Sequence, residues 1–188
     1  MQIDLPNAAH GAARYTRTAI ALHWLMAVMI IAALTLGTVL SEMAFSPLKL
    51  KLISWHKWLG VTVFGLILVR LIWRLTHTPP ALPNDIAAWQ RRLSAVVHGL
   101  LYGLLLTIPV SGWLYSSSAG VPTVWLGLVP LPDLLPRNEA VADVLKTVHV
   151  WLNWTLLGLV SAHTAAALHH HYVLKDGLLR RMRPYWRR

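Results

Sequence analysis

The pattern of apolar and polar positions divides the chain into four long apolar runs separated by polar connections. Residues 19–40 (AIALHWLMAVMIIAALTLGTVL) carry no charge. Residues 52–73 carry only Lys57 and Arg70, near opposite ends, and residues 93–115 and 148–168 are again uncharged. A ~30 Å hydrocarbon core takes ~20 helical residues to cross, and only a helix satisfies its backbone groups within one segment, so each run predicts a membrane-spanning helix. Lys57 and Arg70 can return their charged heads to the interface along their apolar stems. The predicted fold is an all-α membrane protein. It is a four-transmembrane-helix bundle with helices over about 17–41, 51–75, 91–116 and 144–172, forming one membrane domain over residues 1–188.

The connections are unequal. A short one covers 41–51, a proline-bearing one runs through THTPPALPNDIAAWQRR, and a long one covers about 117–143. The last is rich in Pro and Gly yet keeps Trp125 and several leucines, which predicts that it folds over one end of the bundle. Of the 17 basic residues, twelve fall in the N-terminus, the second connection and the tail, including Arg14, Arg17, Arg70, Arg74, Arg91, Arg92 and the RRMRPYWRR stretch. Basic residues concentrate on the cytoplasmic side, so both termini are expected there, with the 117–143 loop periplasmic.

Composition narrows the chemistry. Of 188 residues, 56% are hydrophobic and only 13% charged, too apolar for a soluble domain, where about 25% are charged. The net charge of +10 does not point to nucleic acid, because the basic residues sit between apolar runs rather than on one polar face. They fit topology and contact with anionic lipid. The N-terminal stretch MQIDLPNAAHGAARYTR has no compact apolar core with a small-residue cleavage site, so no secretory signal peptide is predicted. The absence of cysteine excludes disulfides, thiolate metal sites and the C-x-x-C-H attachment of a c-type haem. A metal must therefore be held by histidine or oxygen.

The ten histidines include several inside the apolar runs, where an ionisable or metal-binding side chain is costly and marks a functional position. His149 and His163 are 14 residues apart, almost four helical turns, so they share a face about 21 Å apart along the axis. His23 lies near the cytoplasmic end of the first helix and His56 near the outer end of the second. Depth thus pairs His23 with His163 and His56 with His149. Two imidazoles facing each other across a bundle make a six-coordinate haem site, and the two levels predict two stacked haems in the bundle interior. Gly60, one turn after His56, and Gly99, beside His98, leave room for a macrocycle, although small residues also serve plain helix packing. Zinc or copper is the competing use, as in a His-lined metal transporter, but zinc needs three or four ligands at one point. The run His169, His170 and His171 splays over roughly 200° and suits metal capture poorly.

These residues carry a resemblance. IALHWL in the first helix, SWHKWLG in the second, HGLLYGLLLTIPVSGWL in the third and KTVHVWLNWTLLGLVSAHTAAALHHHYVLKDGLLRRM through the fourth resemble the bacterial cytochrome b561 family over residues 15–183. That family comprises four-helix, di-haem b-type cytochromes of the inner membrane. The resemblance implies haem ligands at His23, His56, His149 and His163. It also implies a quinone site at the cytoplasmic end, which matches His98 and His170, the latter two turns beyond His163. An interfacial histidine bonded to water or phosphate is the alternative use of that pair. Arg70 and Arg74, one turn apart, can pair with haem propionates or anchor the inner interface.

Some proteins of this kind oxidise superoxide at the periplasmic face and reduce ubiquinone. On that reading Lys51 and Lys146, with Lys49 and Lys57, form a positive funnel that attracts the anion. The expected function is single-electron transfer between a periplasmic donor, plausibly superoxide, and ubiquinone. The alternatives are a generic quinol-linked carrier and a cytochrome b subunit of a dehydrogenase or hydrogenase. The many Trp residues near run ends are read as an aromatic belt.

Overall fold

A computed structural model describes residues 14–81 and 86–184. The N-terminal residues read above as lacking a signal peptide lie, up to residue 13, outside these, as do Arg187 and Arg188 of the tail. Four long helices dominate: α1 (Arg17–Glu42), α2 (Pro47–Thr76), α3 (Ala88–Ser118) and α4 (Glu139–His169). Each runs past its apolar run, and polar side chains cap the starts of α1, α2 and α4. The Thr16 and Ser46 hydroxyls accept from the Ala19 and Lys49 amides, with Pro47 following Ser46 in the first turn of α2. Asn138 caps α4 at Val141 and donates its own amide to the Ser118 carbonyl at the end of α3. As a result α4 starts at Glu139, five residues before the expected span.

Three of these helices, α1, α2 and α3, are long and apolar enough to cross a membrane. The fourth is as long, with 31 residues, but His149, Asn153 and His163 dilute its apolar stretch. Among the described residues few apolar side chains are buried: Ile20, Met26, Val63, Ile67, Ile108, Ala142 and Leu156. Large apolar residues such as Val28, Ile31, Ile72 and Trp151 face outward instead. That surface is suited to hydrocarbon rather than water.

The packing is uneven. α3 lies along α4 and α1 along α2, while α2 against α3 joins the two hairpins. The backbones of α1 and α2 hardly approach α4. The sequence explains this spacing, since histidines rather than small residues face one another there.

At one end, called here the loop end, residues 119–138 fold back over the bundle. A two-stranded hairpin, β1 (Val124–Trp125) and β2 (Val129–Pro130), turns through Leu126 and Gly127, both in the left-handed region at φ 55° and 72°. Glycine takes that conformation freely, whereas Leu126 is held in it by tertiary ties. Trp58 donates to the Val124 carbonyl at 2.7 Å, Trp125 to the Thr62 hydroxyl at 3.1 Å, and Lys57 to the Val121 carbonyl at 2.9 Å. Trp58→Phe keeps a ring but removes one donor. It is expected to lower stability by about 0.5–1.5 kcal/mol, seen as a lower thermal midpoint and faster proteolysis within 119–138.

At the other, terminal end, the chain's two ends meet. The Tyr15 amide donates to the Arg181 carbonyl, Trp24 donates to the Met182 carbonyl at 2.8 Å, and Arg181, almost fully buried, donates to the Ala81 carbonyl at 2.8 Å. A π turn (His170–Leu174) continues α4, and a short 3₁₀ turn (Leu179–Met182) brings the tail back against α1.

Candidate haem sites

The helical frame brings the intramembrane histidines together at two levels. At the loop end the His56 ring of α2 and the His149 ring of α4 have centroids 6.3 Å apart and planes inclined by 89°. At the terminal end His23 of α1 and His163 of α4 are 6.4 Å apart, inclined by 70°. Two metal–imidazole bonds of about 2 Å each, plus the half-widths of two rings, add up to roughly 6 Å. Both pairs therefore have the spacing of two nitrogens aimed at one ion between them.

The surroundings of the two levels differ. At the loop end His149 Nδ1 lies 2.9 Å from the Ser111 hydroxyl, which itself donates to the Ile108 carbonyl at 2.8 Å. With its hydrogen committed, Ser111 accepts from Nδ1–H, and the lone pair of the neutral ring stays on Nε2. Such a partner on the distal nitrogen fixes tautomer and orientation in metal-binding histidines. His56 Nδ1 is buried with no hydrogen-bond partner. Two glycines cradle the rings. A Cβ on Gly37 would lie 3.3 Å from His56 Cε1, and one on Gly112 would lie 2.9 Å from His149 Cε1.

At the terminal end Arg70 donates from Nη1 to His23 Nδ1 at 3.2 Å and from Nε to the Tyr102 hydroxyl at 3.1 Å. A guanidinium only donates, so this contact leaves the proton of a neutral His23 on Nε2. Arg74 lies 5.7 Å from the Tyr102 ring. Arg70, Arg74 and Tyr102 line a cavity of about 130 Å³ together with Arg14, Trp73 and His77. The last two stack at 3.8 Å. His98 donates from Nδ1 to the Ser94 carbonyl at 2.6 Å, which leaves Nε2 as an acceptor, and its ring sits 5.2 Å from that of His163. That separation is too short for two nitrogens on opposite sides of one ion, whereas the His23–His163 separation is not.

Among the described residues no three His, Asp or Glu side chains gather as a metal site. The donor set is two imidazole pairs; a Cβ added at Gly60 would meet nothing within 4 Å, and Gly99 and Gly103 lie on the exposed side of α3. Imidazoles as the only donors, with arginines at one level, fit a bis-histidine haem with carboxylate side chains.

The remaining candidates are placed as follows. His170, in the π turn, bonds Asp176, which also accepts from the Leu178 amide. It makes no hydrogen bond or ring contact with His98. Lys51 lies over the Trp55 ring at 5.2 Å, and Lys146 is exposed on α4. Lys49 and Lys57 instead donate to loop carbonyls. Ser111, Gly37, Gly112, Tyr102 and Asp176 were not selected by sequence reasoning. The glycines singled out there were neighbours of histidines along the chain, whereas Gly37 and Gly112 meet theirs across helices. A signal for Asp176 existed: it is one of only seven acidic residues and lies in a basic tail.

Comparison with known proteins places the chain in a family. The family model of prokaryotic cytochrome b561 matches residues 14–185. Cytochrome b561 homolog 2 of Escherichia coli K12 is 31% identical over 170 residues, 90% of each chain. Cytochrome b561 homolog 1 of the same organism is 31% identical over 176 residues, 91% of this chain and 97% of its own. A protein of Yersinia pestis named probable superoxide oxidase CybB is 30% identical over 176 residues, 91% of this chain and 96% of its own. With membrane-length helices and imidazole pairs that suit haem b, the chain belongs to the prokaryotic cytochrome b561 family and is a membrane cytochrome of electron transfer.

Proposed function

We propose that the chain holds two haems b and carries single electrons from superoxide at the periplasmic face of the bacterial inner membrane to ubiquinone near the cytoplasmic face. The observation that carries this reading is the pair of facing histidine couples, 6.3 and 6.4 Å apart, at opposite ends of one bundle. His56 and His149 hold the outer haem, His23 and His163 the inner. The likeness to a protein named probable superoxide oxidase supports superoxide as donor. The excess of basic residues at the terminal end supports cytoplasmic termini and a periplasmic 117–143 loop.

When bound, haem b supplies one-electron redox chemistry, and the protein supplies ligands, burial and polarity. Superoxide gives up one electron and leaves as dioxygen, while a quinone takes two electrons and two protons to become a quinol. Lys51 and Lys146 raise the local concentration of the anion at the loop end, an effect that salt screens. Arg70, which here contacts His23 Nδ1, and Arg74 would pair with propionate carboxylates; with Arg70 so engaged, His23 would carry its proton on Nδ1 and offer Nε2 to the iron. Gly60 would leave the macrocycle room beside α2. His98 Nε2 and His170, the latter oriented by Asp176, hydrogen-bond the quinone oxygens.

The test is sequential. Purified protein in detergent is exposed to a superoxide-generating system, and the haem bands are expected to appear in reduced form. Ubiquinone added next reoxidises them, more slowly in His98→Ala and His170→Ala. No reduction by superoxide sinks the donor assignment. Reoxidation at the wild-type rate in both variants sinks the quinone-site assignment.

A further inference from the structure

We propose that Ser111 is a positioning residue for the loop-end haem: its hydroxyl holds His149 in the ligating tautomer and, by accepting from Nδ1–H, keeps the potential of that haem low. This inference rests on the reading of His56 and His149 as a ligand pair.

The geometry is local and complete. Ser111 is buried on the face of α3 that meets α4. Its hydroxyl can only donate to the Ile108 carbonyl, 2.8 Å away, which makes it an acceptor toward His149 Nδ1 at 2.9 Å; the Ile108 carbonyl is a second acceptor within reach of His149. The next residue, Gly112, brings bare backbone against the same ring, and the His149 carbonyl accepts from the Asn153 amide at 2.7 Å. His149 is thus held at its distal nitrogen, along its ring and at its backbone, with Nε2 left as the free nitrogen of a ring 6.3 Å from that of His56. By contrast, no side chain accepts from His56 Nδ1, and His23 Nδ1 faces a donor.

An acceptor on Nδ1–H makes the imidazole more basic at Nε2, which favours the higher oxidation state of the iron it binds. The hydroxyl therefore makes the loop-end haem the better reductant. Removing it works in the opposite sense.

The experiment uses the full-length chain purified with its native haem and titrated potentiometrically while the spectrum is followed. The loop-end haem is identified as the one missing from His56→Ala. Ser111→Ala is expected to raise the midpoint of that haem by up to about a tenfold change in the ferrous-to-ferric ratio, 59 mV for one electron, while the other haem moves far less. Ser111→Thr, which keeps the hydroxyl, is expected to restore the wild-type value. An unchanged midpoint in Ser111→Ala, an equal shift of both haems, or a Thr variant that behaves like Ala overturns the proposal. If Ser111→Ala loses the haem outright, retention in Ser111→Thr supports the hydroxyl's role, and loss in both variants overturns it. A wild-type protein whose haem content is unaffected by His56→Ala refutes the ligand pair itself, a result distinct from every outcome at Ser111.

Discussion

If each histidine couple holds one haem, as proposed, His149→Ala is expected to bind one haem where the wild type binds two, and to lose the same spectral component as His56→Ala. Each ring is half of a couple whose centroids lie 6.3 Å apart, so removing either leaves an iron with one protein ligand in an apolar interior. Losses within a couple should not add, because the first substitution already removes what the second partner binds. The double variant His56→Ala/His149→Ala should therefore match either single variant. His23→Ala and His163→Ala should remove the other component. The couples lie at opposite ends of the bundle, so one variant from each should add, leaving a chain with almost no haem. A haem assay per chain, combined with the reduced spectrum, reads all of these results. Full retention of both haems in His149→Ala defeats the assignment of the loop-end couple. Loss of both in every single variant means that the couples are not independent sites.

The same couples were accessible in the sequence because they obey one-dimensional rules. Depth follows from the distance of a residue to the end of its apolar run, and facing follows from the 14-residue separation of His149 and His163. Those rules stop at the helix surface. The partner of an imidazole across the bundle depends on the rotation of each helix about its axis, and no periodicity supplies that. Gly112 and Ser111 follow Pro109 in an apolar stretch and look like ordinary small residues for helix packing. Only the position of α3 against α4 turns one into a hydrogen-bond acceptor and the other into a clearance.

The loop shows the same boundary. Trp125 and the leucines foretold a segment that folds over an end, but the hydrogen bonds from Trp58 and Lys57 depend on which α2 side chains face it. At the tail, His170 was selected as one of a pair with His98. Asp176 lies six residues further on and is brought back to His170 by the turn through Lys175 and Gly177, both with positive φ.

Gly112→Ala should weaken haem binding at the loop-end site through sterics alone. The added Cβ would stand 2.9 Å from His149 Cε1, closer than a Cβ approaches other atoms, and a tight 3.3 Å from Nδ1. The ring has little room to retreat, since Ser111 holds Nδ1 and Asn153 holds the backbone carbonyl. Overpacking of this kind costs about 1–3 kcal/mol, and each 1.4 kcal/mol is a factor of ten in binding. A drop in haem affinity of roughly ten- to a hundredfold follows if that strain is released by turning His149 away. Gly37→Ala, at 3.3 Å from His56 Cε1, needs a shift of only a few tenths of an ångström and should cost less.

Gly60→Ala provides the contrast. In the protein itself its Cβ meets nothing within 4 Å, and alanine gains about 1 kcal/mol over glycine inside a helix. The chain should fold at least as well, so any haem that Gly60→Ala loses is lost to a clash with the macrocycle. Haem content and the thermal midpoint of the same samples separate these cases. Gly112→Ala that keeps both haems at wild-type affinity removes the clearance argument, and Gly60→Ala that keeps them removes Gly60 from the haem site.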